Sequence, residues 1–400
     1  MTDEKFLDQK MDRREFLKKS GIGGAGLALG LSGASAFFAN QDRSSKKALD
    51  GDEDISFFGK HQAGITTPMQ KACYLVVLDL HTTDKKEVIQ LFKDWTDYSS
   101  KLVEGELVKK DGSNALLPPM DTGETVGLNP YRLSLTFGVS ADFLKKLGLE
   151  SKRPKLFRDL PPFPKEQLQD KYTGGDIVIQ ACADDEQVAF HAVRNLIRKG
   201  RNKITMKWSK SGFAAIGDRK ETPRNLFGFK DGTANVTKEK EFDKVVWADS
   251  KDWMKGGSYM ALRLVQMHLE TWDRTSLQEQ ENTFGRYKES GAPFGKKDEF
   301  DEVDLSKLPV DSHVRLAKEV NLPILRRSYS YSDGIDETGQ FDAGLIFIAY
   351  QKDPDRFVKI QTNLGAVDKM NEYITHIGSG LFACFAGVEK GGYLGQALFE

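Results

Sequence analysis

The chain has 400 residues, 39% of them hydrophobic, so it is long enough for two domains with a sizeable core. Its 58 basic and 59 acidic residues leave a formal net charge of -1, which argues against a broad nucleic-acid-binding surface. Cys73, Cys182 and Cys384 lie far apart in apolar runs and form no CxxC motif. We therefore expect buried free thiols rather than a zinc ribbon or a disulfide scaffold.

The N-terminal segment has the pattern of a targeting signal. Arg13 and Arg14 form a twin arginine, which is followed by a Gly/Ala/Leu-rich run from Gly21 to Leu31 and by a small-residue cleavage pattern at Ala34-Ser35-Ala36. We predict a twin-arginine signal peptide over residues 1–36, recognised by the twin-arginine translocase. The mature protein is then expected in the periplasm or another extracytoplasmic compartment. An uncleaved membrane anchor is the alternative.

Residues 37–57 are predicted to be a linker, because most of them are polar or charged and show no periodicity. Beyond this linker, apolar runs typical of strands alternate with amphipathic runs typical of helices. Strands are predicted at 72–80, 132–137, 176–181 and 204–216, and helices at 84–102 and 184–198.

The second half of the chain repeats this plan. Residues 72–84 parallel 261–273, and residues 175–184 parallel 344–353; in each pair an apolar strand runs into an acidic helix start. The identities are few, so chance similarity is the alternative. We predict an α+β fold of two domains, each an antiparallel sheet with helices on one face. The predicted domains are 58–217 and 218–400, and the polar residues 281–310 are predicted to be an insertion in the second.

One short motif places a carboxylate between two glycines. In Gly228-Phe229-Lys230-Asp231-Gly232, glycine at both ends permits backbone conformations that a side chain would forbid. The turn can therefore approach a bound group closely, with Asp231 pointing at it. An Asp-Gly surface turn is the alternative interpretation.

The six histidines provide few metal-binding patterns. There is no HExxH motif, so hydrolytic zinc chemistry has little support. A lone histidine is more often structural than a ligand. His313 differs in its setting, because it lies in a short polar-apolar alternation and is followed thirteen residues later by Arg326. The histidines interpreted as structural are His81, His191, His268 and His376.

In sequence the chain resembles the DyP-type (dye-decolourising) haem peroxidases, and within them the exported branch that includes the deferrochelatase/peroxidase of bacterial iron-uptake systems. The resemblance extends from about Gly59 to the C-terminus and rests on the order and spacing of several segments. These are His61–Ile65, the GxxDG motif at Gly228–Gly232, Phe284–Lys288 with Gly291–Pro293, Asp311–Arg315, Leu325–Arg327, and the pair Leu345 and Phe347.

This resemblance implies two ferredoxin-like domains of the dimeric α+β barrel type, with haem b (iron protoporphyrin IX) in the C-terminal one. His313 would bind the iron. Asp368 and Glu372, four residues apart on a predicted helix face, are the two candidates for holding its other ring nitrogen. The other residues implied to contact the haem are Gly232, Thr233, Ala234, Arg326, Leu345 and Phe347.

The implied activity is the reduction of hydrogen peroxide through a ferryl intermediate, with oxidation of an organic donor. Asp231 would act as the proton shuttle. Arg326, which stays protonated, would stabilise negative charge. A deferrochelatase-like protein that releases iron and leaves the porphyrin intact is the alternative, as is a haem carrier, although storage needs neither residue. Iron-uptake components are further candidate partners, and a homo-oligomer is left open.

Overall fold

The computed structural model describes residues 55–400 except 111, 113 and 217–221. The predicted signal peptide, the predicted linker up to residue 54 and the predicted domain break near 217 lie outside these residues. Phe57, at the end of the predicted linker, is buried in the core, so packed structure begins before residue 58. None of the helices in the described ranges is long and apolar enough to span a membrane.

The first half has the order strand, helix, two strands, helix, strand, with a short extra helix. Asp84 caps α1 by accepting the Lys86 N–H, and Asp185 caps α3 by accepting the Val188 N–H, so the predicted acidic helix starts are confirmed. The elements are β1 (Ala72–Leu80), α1 (Lys85–Val103), β2 (Ser134–Val139), α2 (Ala141–Lys146), β3 (Ile177–Ala183), α3 (Glu186–Gly200) and β4 (Ile204–Phe213).

The second half repeats this order with more helices. The predicted repeat is confirmed, because 261–267 lies in β5 as 72–80 lies in β1, and 344–351 lies in β8 as 177–183 lies in β3. The elements are α4 (Glu239–Val245), β5 (Ser258–Met267), α5 (Leu269–Asp273), α6 (Leu277–Phe284), α7 (His313–Val320), β6 (Leu325–Arg326), β7 (Tyr329–Ile335), β8 (Phe341–Gln351), α8 (Asp355–Val367), β9 (Ile374–Cys384) and α9 (Gln396–Phe399).

Both halves have the antiparallel strand order of a ferredoxin-like fold. The first sheet runs β2–β3–β1–β4 and the second runs β9–β5–β8–β7. They join through β4 with β7 at one seam and β2 with β9 at the other, which closes the described strands into a barrel. The prediction of two ferredoxin-like units in a barrel is therefore confirmed.

The two faces of the barrel wall have different roles. In β8, Ile346, Ile348 and Tyr350 point into the barrel interior, whereas Leu345 and Phe347 point outwards, as the two-residue period of a strand requires. In the first half α1 and α3 cover the outer face. In the second half the helices stand off from the outer face, and a cavity opens between them and the sheet.

Candidate active site

The cavity of the second half has a volume of about 380 Å³, which is in the range of sites for small molecules and cofactors. Its floor is the outer face of the sheet, where Val265, Leu345 and Phe347 present apolar side chains. Helix α7 and helix α8 form one wall, and the GxxDG loop forms another. The cavity is therefore largely apolar, and a few polar side chains, among them Asp231, His313 and Arg326, line it.

His313 is the first residue of α7 and its ring lines the cavity. Its Nδ1 lies 2.6 Å from Oδ2 of Asp368, a carboxylate that is only 3% exposed. Nδ1 therefore donates a hydrogen bond to Asp368, so in the neutral ring the free lone pair is on Nε2. The ring of Phe284 packs edge-on against the imidazole. An imidazole fixed in this tautomer is suited to bind a metal.

The contact with Asp368 favours the protonated ring while Nε2 binds nothing, so binding of a metal at Nε2 would displace a proton and leave the imidazole neutral. Burial of the ring acts to lower the pKa of His313, but the Asp368 carboxylate outweighs it, so this pKa lies above its ordinary value. Of the two predicted partners, the structure brings Asp368 to the ring. Glu372 is exposed and does not line the cavity.

The GxxDG loop is a tight turn with glycine where the backbone needs it. Gly228 has φ +81° and Gly232 has φ +126°, which are conformations that favour glycine. The Asp231 N–H donates to Pro223 O at 2.8 Å, which holds the turn closed. Asp231, Gly232, Thr233 and Ala234 all line the cavity, so the turn approaches the site as predicted and is not an isolated surface turn.

Asp231 and Arg326 form an ion pair on the cavity wall. Nη1 of Arg326 donates to Oδ1 of Asp231 at 2.8 Å, and both side chains are partly buried. The residues are 95 positions apart and come from the loop and from β6. A guanidinium next to a carboxylate in a partly dry cavity provides one fixed cation and one proton acceptor.

Asn235 ties the same two elements together through the backbone. Its Nδ2 donates to Arg326 O at 2.7 Å, and its Oδ1 accepts the Arg326 N–H at 2.9 Å. The amide thus satisfies both backbone groups of Arg326 and fixes where its side chain begins. This role of Asn235 was not predicted from the sequence, although Asn235 lies only four residues after Asp231, because an Asn in a polar run has no distinctive pattern.

Glu299 holds the loop from outside the cavity. Its carboxylate accepts from Lys230 Nζ and from Thr233 Oγ1, each at 2.7 Å, so it contacts the loop on both sides of Asp231. Burial acts to raise the pKa of Glu299, but these bonds and one from Thr222 outweigh it and keep the pKa below its ordinary value. Glu299 belongs to the predicted insertion 281–310, which therefore supports the site.

His376 was interpreted as structural, but it lines the cavity from β9. Burial lowers the pKa of His376 to about 3, and the charges of Arg263 and His313 act in the same direction. The ring is therefore neutral at neutral pH. A histidine inside a strand pattern looks like any core histidine in the sequence, which is why its position was not foreseen.

All the residues predicted to bind or react with a haem meet at this one cavity: Asp231, Gly232, Thr233, Ala234, His313, Arg326, Leu345 and Phe347. The segment after α7 also lines it, through Asn321 to Ile324. A neutral imidazole with a free Nε2, an apolar floor and a glycine turn are what a haem needs from its protein. The residues present therefore fit haem, and the His313 ring is placed where it could bind the iron. Fold and site together define a haem enzyme with an acid–arginine pair.

Comparisons with known proteins agree. The family profile described as Dyp-type peroxidase, N-terminal, matches residues 62–214, and the profile described as Dyp-type peroxidase, C-terminal, matches residues 222–389. The chain is 38% identical to a deferrochelatase of Escherichia coli O157:H7 over 414 residues, which cover 97% of each protein. It is also 38% identical to a deferrochelatase of Yersinia pseudotuberculosis, over 95% of this chain and 93% of that protein.

Solved structures give the same result. The crystal structure of a DyP-type peroxidase from Streptomyces coelicolor superposes with a TM-score of 0.82 at 37% identity, over 88% of this chain and 98% of that one. An oxyferrous complex of DtpA from Streptomyces lividans gives 0.81 at 36% identity, with the same coverage. The chain belongs to the DyP-type peroxidase family. It is a haem-dependent enzyme.

Proposed function

We propose that this protein reduces hydrogen peroxide in the cavity lined by His313, Asp231 and Arg326, and oxidises an organic donor. The observation that carries the proposal is the 2.8 Å ion pair between Asp231 and Arg326 on the wall of the cavity that also receives the His313 ring. A haem carrier would need the histidine but neither member of this pair.

Each residue has a distinct task. His313 would hold the haem iron, and the haem would supply the electrons for cleavage of the O–O bond. Asp231 takes a proton from one oxygen of hydrogen peroxide and returns it to the oxygen that leaves as water. Arg326 stays protonated and stabilises the negative charge that develops on oxygen. Leu345 and Phe347 keep the space near these groups apolar.

Two substitutions test this assignment. Asp231→Asn keeps the shape of the side chain but cannot shuttle a proton, and should slow the reaction with peroxide by about 10²–10⁴-fold. Arg326→Leu removes the positive charge and should slow it by about 10²–10³-fold. Stopped-flow traces of the Soret band after mixing with peroxide measure both rates. Glu372→Gln, a change at an exposed acid close to the site, should react as the unchanged protein does.

Both variants should keep their haem, because neither residue binds iron in this proposal. Rates close to those of the unchanged protein in both variants would contradict the peroxidase mechanism.

A second candidate function is the release of iron from haem with the porphyrin left intact, which is supported by the name deferrochelatase of relatives 38% identical to this chain. The test is incubation of the haem-loaded protein with a reductant and an iron chelator, followed by fluorescence of free protoporphyrin. Formation of free protoporphyrin faster than from haem alone, and its loss in the His313→Ala variant, would favour iron release. No formation of free protoporphyrin, together with a rapid reaction with peroxide, would favour the peroxidase function.

We further propose that the protein is exported by the twin-arginine translocase and works in the periplasm or another extracytoplasmic compartment. The support is the Arg13-Arg14 pattern and the small-residue cleavage site. Replacement of both arginines by lysine should leave the protein in the cytoplasm, and export of that variant would contradict the proposal. If the protein releases iron from haem, components of an iron-uptake system are its expected partners. Crosslinking in the compartment to which the protein is exported would detect these partners and any homo-oligomer.

A further inference from the structure

Two cysteines face each other inside the barrel, on the side of the wall away from the cavity. Cys73 is the second residue of β1 and Cys182 is the last but one of β3, and the two are directly paired in the antiparallel register. Both are fully buried in the same interior cluster and both are free. Residues paired in this way have Cα atoms about 4.5 or 5.5 Å apart, and both spacings are within the range of a disulfide.

A buried cation lies against this pair. Arg327 is 4% exposed and follows Arg326, but on the opposite face of the strand, so its side chain enters the barrel interior. Its guanidinium donates to Thr67 O and to Gln70 Oε1, and its Nε has no hydrogen-bond partner among the residues that the structure describes. Within the described ranges no carboxylate pairs with it. A buried charge without a counter-ion is costly, so an anion nearby would be favoured.

The ionisable groups beside Arg327 are the phenols of Tyr329 and Tyr350 and the thiol of Cys182. Burial raises the pKa of each phenol well above its ordinary value, so the thiol is the group that can become an anion. Burial acts to raise the pKa of the Cys182 thiol, but contact with Cys73 and the charge of Arg327 outweigh it and lower this pKa. The pKa of the Cys73 thiol is raised instead, first by burial. The two thiols therefore differ as an attacking and a resolving thiol would.

The pair lies near the end of the barrel rather than at its centre. Cys73 and Cys182 are close to the ends of their strands, and Gln70 Nε2 donates to Cys182 O at 3.4 Å. The irregular chain at 64–70, in which Pro68 is exposed and Thr66 and Thr67 are half-buried, hydrogen-bonds to Cys182 O and to the Arg327 guanidinium. The pair therefore contacts, through Gln70, a segment that reaches the protein surface.

We propose that Cys73 and Cys182 form a peroxide-sensitive thiol pair that closes reversibly to a disulfide, with Arg327 holding Cys182 as the attacking thiolate. The Cys182 thiolate attacks one oxygen of hydrogen peroxide, the O–O bond breaks, and hydroxide is released. Cys182 is then a sulfenic acid. The hydroxide takes the proton of Cys73. The Cys73 sulfur then attacks the Cys182 sulfur, the S–O bond breaks, and the released hydroxide takes up the proton that Cys182 lost. Two thiols lose two electrons in all, and one peroxide becomes two waters.

The third cysteine is a matched internal control. Cys384 is buried in the same interior cluster, but its strand partners are Ser258 and Gly138, so no thiol faces it. Burial alone raises the pKa of the Cys384 thiol. It should therefore stay unmodified when Cys182 reacts.

The experiment uses the full-length, haem-loaded protein, reduced and then freed of reductant. Hydrogen peroxide is added for increasing times, the protein is denatured with an alkylating agent, and its peptides are analysed by mass spectrometry. We expect a Cys73–Cys182 linked peptide that disappears after treatment with dithiothreitol, while Cys384 is alkylated throughout. In the Cys73→Ser variant, a sulfenic acid should accumulate on Cys182 and react with dimedone.

Arg327→Gln tests the role of the cation. An ordinary thiol of pKa about 8.5 is only about 3% ionised at pH 7, so loss of the guanidinium should slow oxidation of Cys182 by roughly tenfold or more. Arg327→Lys keeps a positive charge and should slow the oxidation of Cys182 less than Arg327→Gln does. If Arg327→Gln does not fold, the Cys73→Ser result still decides the proposal.

Equal oxidation of Cys182 and Cys384 would overturn the proposal, as would a thiol pair that stays reduced while the Soret band responds to peroxide. Conversion of Cys182 directly to a sulfinic acid, with Cys73 left free, would also overturn it.

Discussion

Nδ1 of His313 lies 2.6 Å from Oδ2 of Asp368, although 55 residues separate them. The other oxygen of this carboxylate accepts the Met370 N–H at 2.8 Å, so Asp368 also caps the short turn at Lys369–Glu372. Both of its oxygens are therefore bound, and the carboxylate cannot rotate away from the imidazole. A negative charge held here makes the other ring nitrogen a stronger electron donor to iron.

Asp368→Asn should raise the reduction potential of the haem iron, because a neutral amide leaves the imidazole less electron-donating. Asn has one oxygen for the two donors, His313 Nδ1–H and the Met370 N–H, so one of these hydrogen bonds is lost, at a cost of about 1 kcal/mol that the fold should survive. The reaction with peroxide should slow by about 10–100-fold, the usual cost of losing such a partner. Spectroelectrochemistry measures the potential. Glu372→Gln should leave it unchanged, and an unchanged potential in Asp368→Asn would show that this contact does not tune the iron.

His313→Ala should yield folded protein with little haem, because His313 supplies the bond from the chain to iron in our assignment. The ratio of Soret to protein absorbance measures haem content, and far-ultraviolet circular dichroism checks the fold. His376→Gln is the matched control, since it alters the other imidazole that lines the cavity and should retain haem. Normal haem content and an unchanged spectrum in His313→Ala would refute His313 as the ligand.

Asn235→Ala should weaken the site without removing the haem. It leaves the N–H and C=O of Arg326 without their partner, which should cost about 1–3 kcal/mol in the free energy of unfolding. The reaction with peroxide should also slow, because the guanidinium is no longer fixed against Asp231. Asn235→Asp still accepts the Arg326 N–H and should lose less. Denaturant unfolding and stopped-flow absorbance measure the two effects, and a variant with unchanged stability and rate would show that Asn235 has no positioning role.

Stability in acid should depend on Glu124. Burial acts to raise the pKa of Glu124, but hydrogen bonds from Thr122, His191 and Arg194 outweigh it and lower this pKa from 4.5 to about 2. A lowered carboxyl pKa contributes stability that is complete above the unfolded value and is lost as the pH falls from about 4.5 through about 2. Because Arg194 is exposed and solvent screens this pair, the loss should be on the order of 1 kcal/mol.

Glu124→Gln should abolish that part of the pH dependence, measured by denaturant unfolding at pH values across this window. Glu150→Gln, at an exposed acid, should keep the slope of the unchanged protein. A Glu124→Gln variant whose stability still falls by the same amount would assign the acid sensitivity to other groups.

Features that depend on one short segment of the chain were well predicted from the sequence. Strand β1 was predicted with both of its ends correct, because an uninterrupted apolar run is followed by polar residues and a capping Asp84. The glycine turn around Asp231 and the setting of His313 were also recognisable, since each depends on residues within one short segment. Asp368 and Glu372 were equally good candidates in sequence, and only packing put the first against His313 and left the second exposed.

The sequence by itself determined which segments are strands and helices, the internal repeat and the residue types needed for haem chemistry, because these depend on local propensity and periodicity. Tertiary structure alone decided that Asn235 binds the backbone of Arg326, that Glu299 supports the GxxDG loop across 66–69 residues, and that His376 lines the cavity. It also decided that Cys73 and Cys182, 109 positions apart in sequence, face each other. These contacts arise when the two sheets close into a barrel, and the geometry of that closure depends on all the strands at once rather than on any one segment.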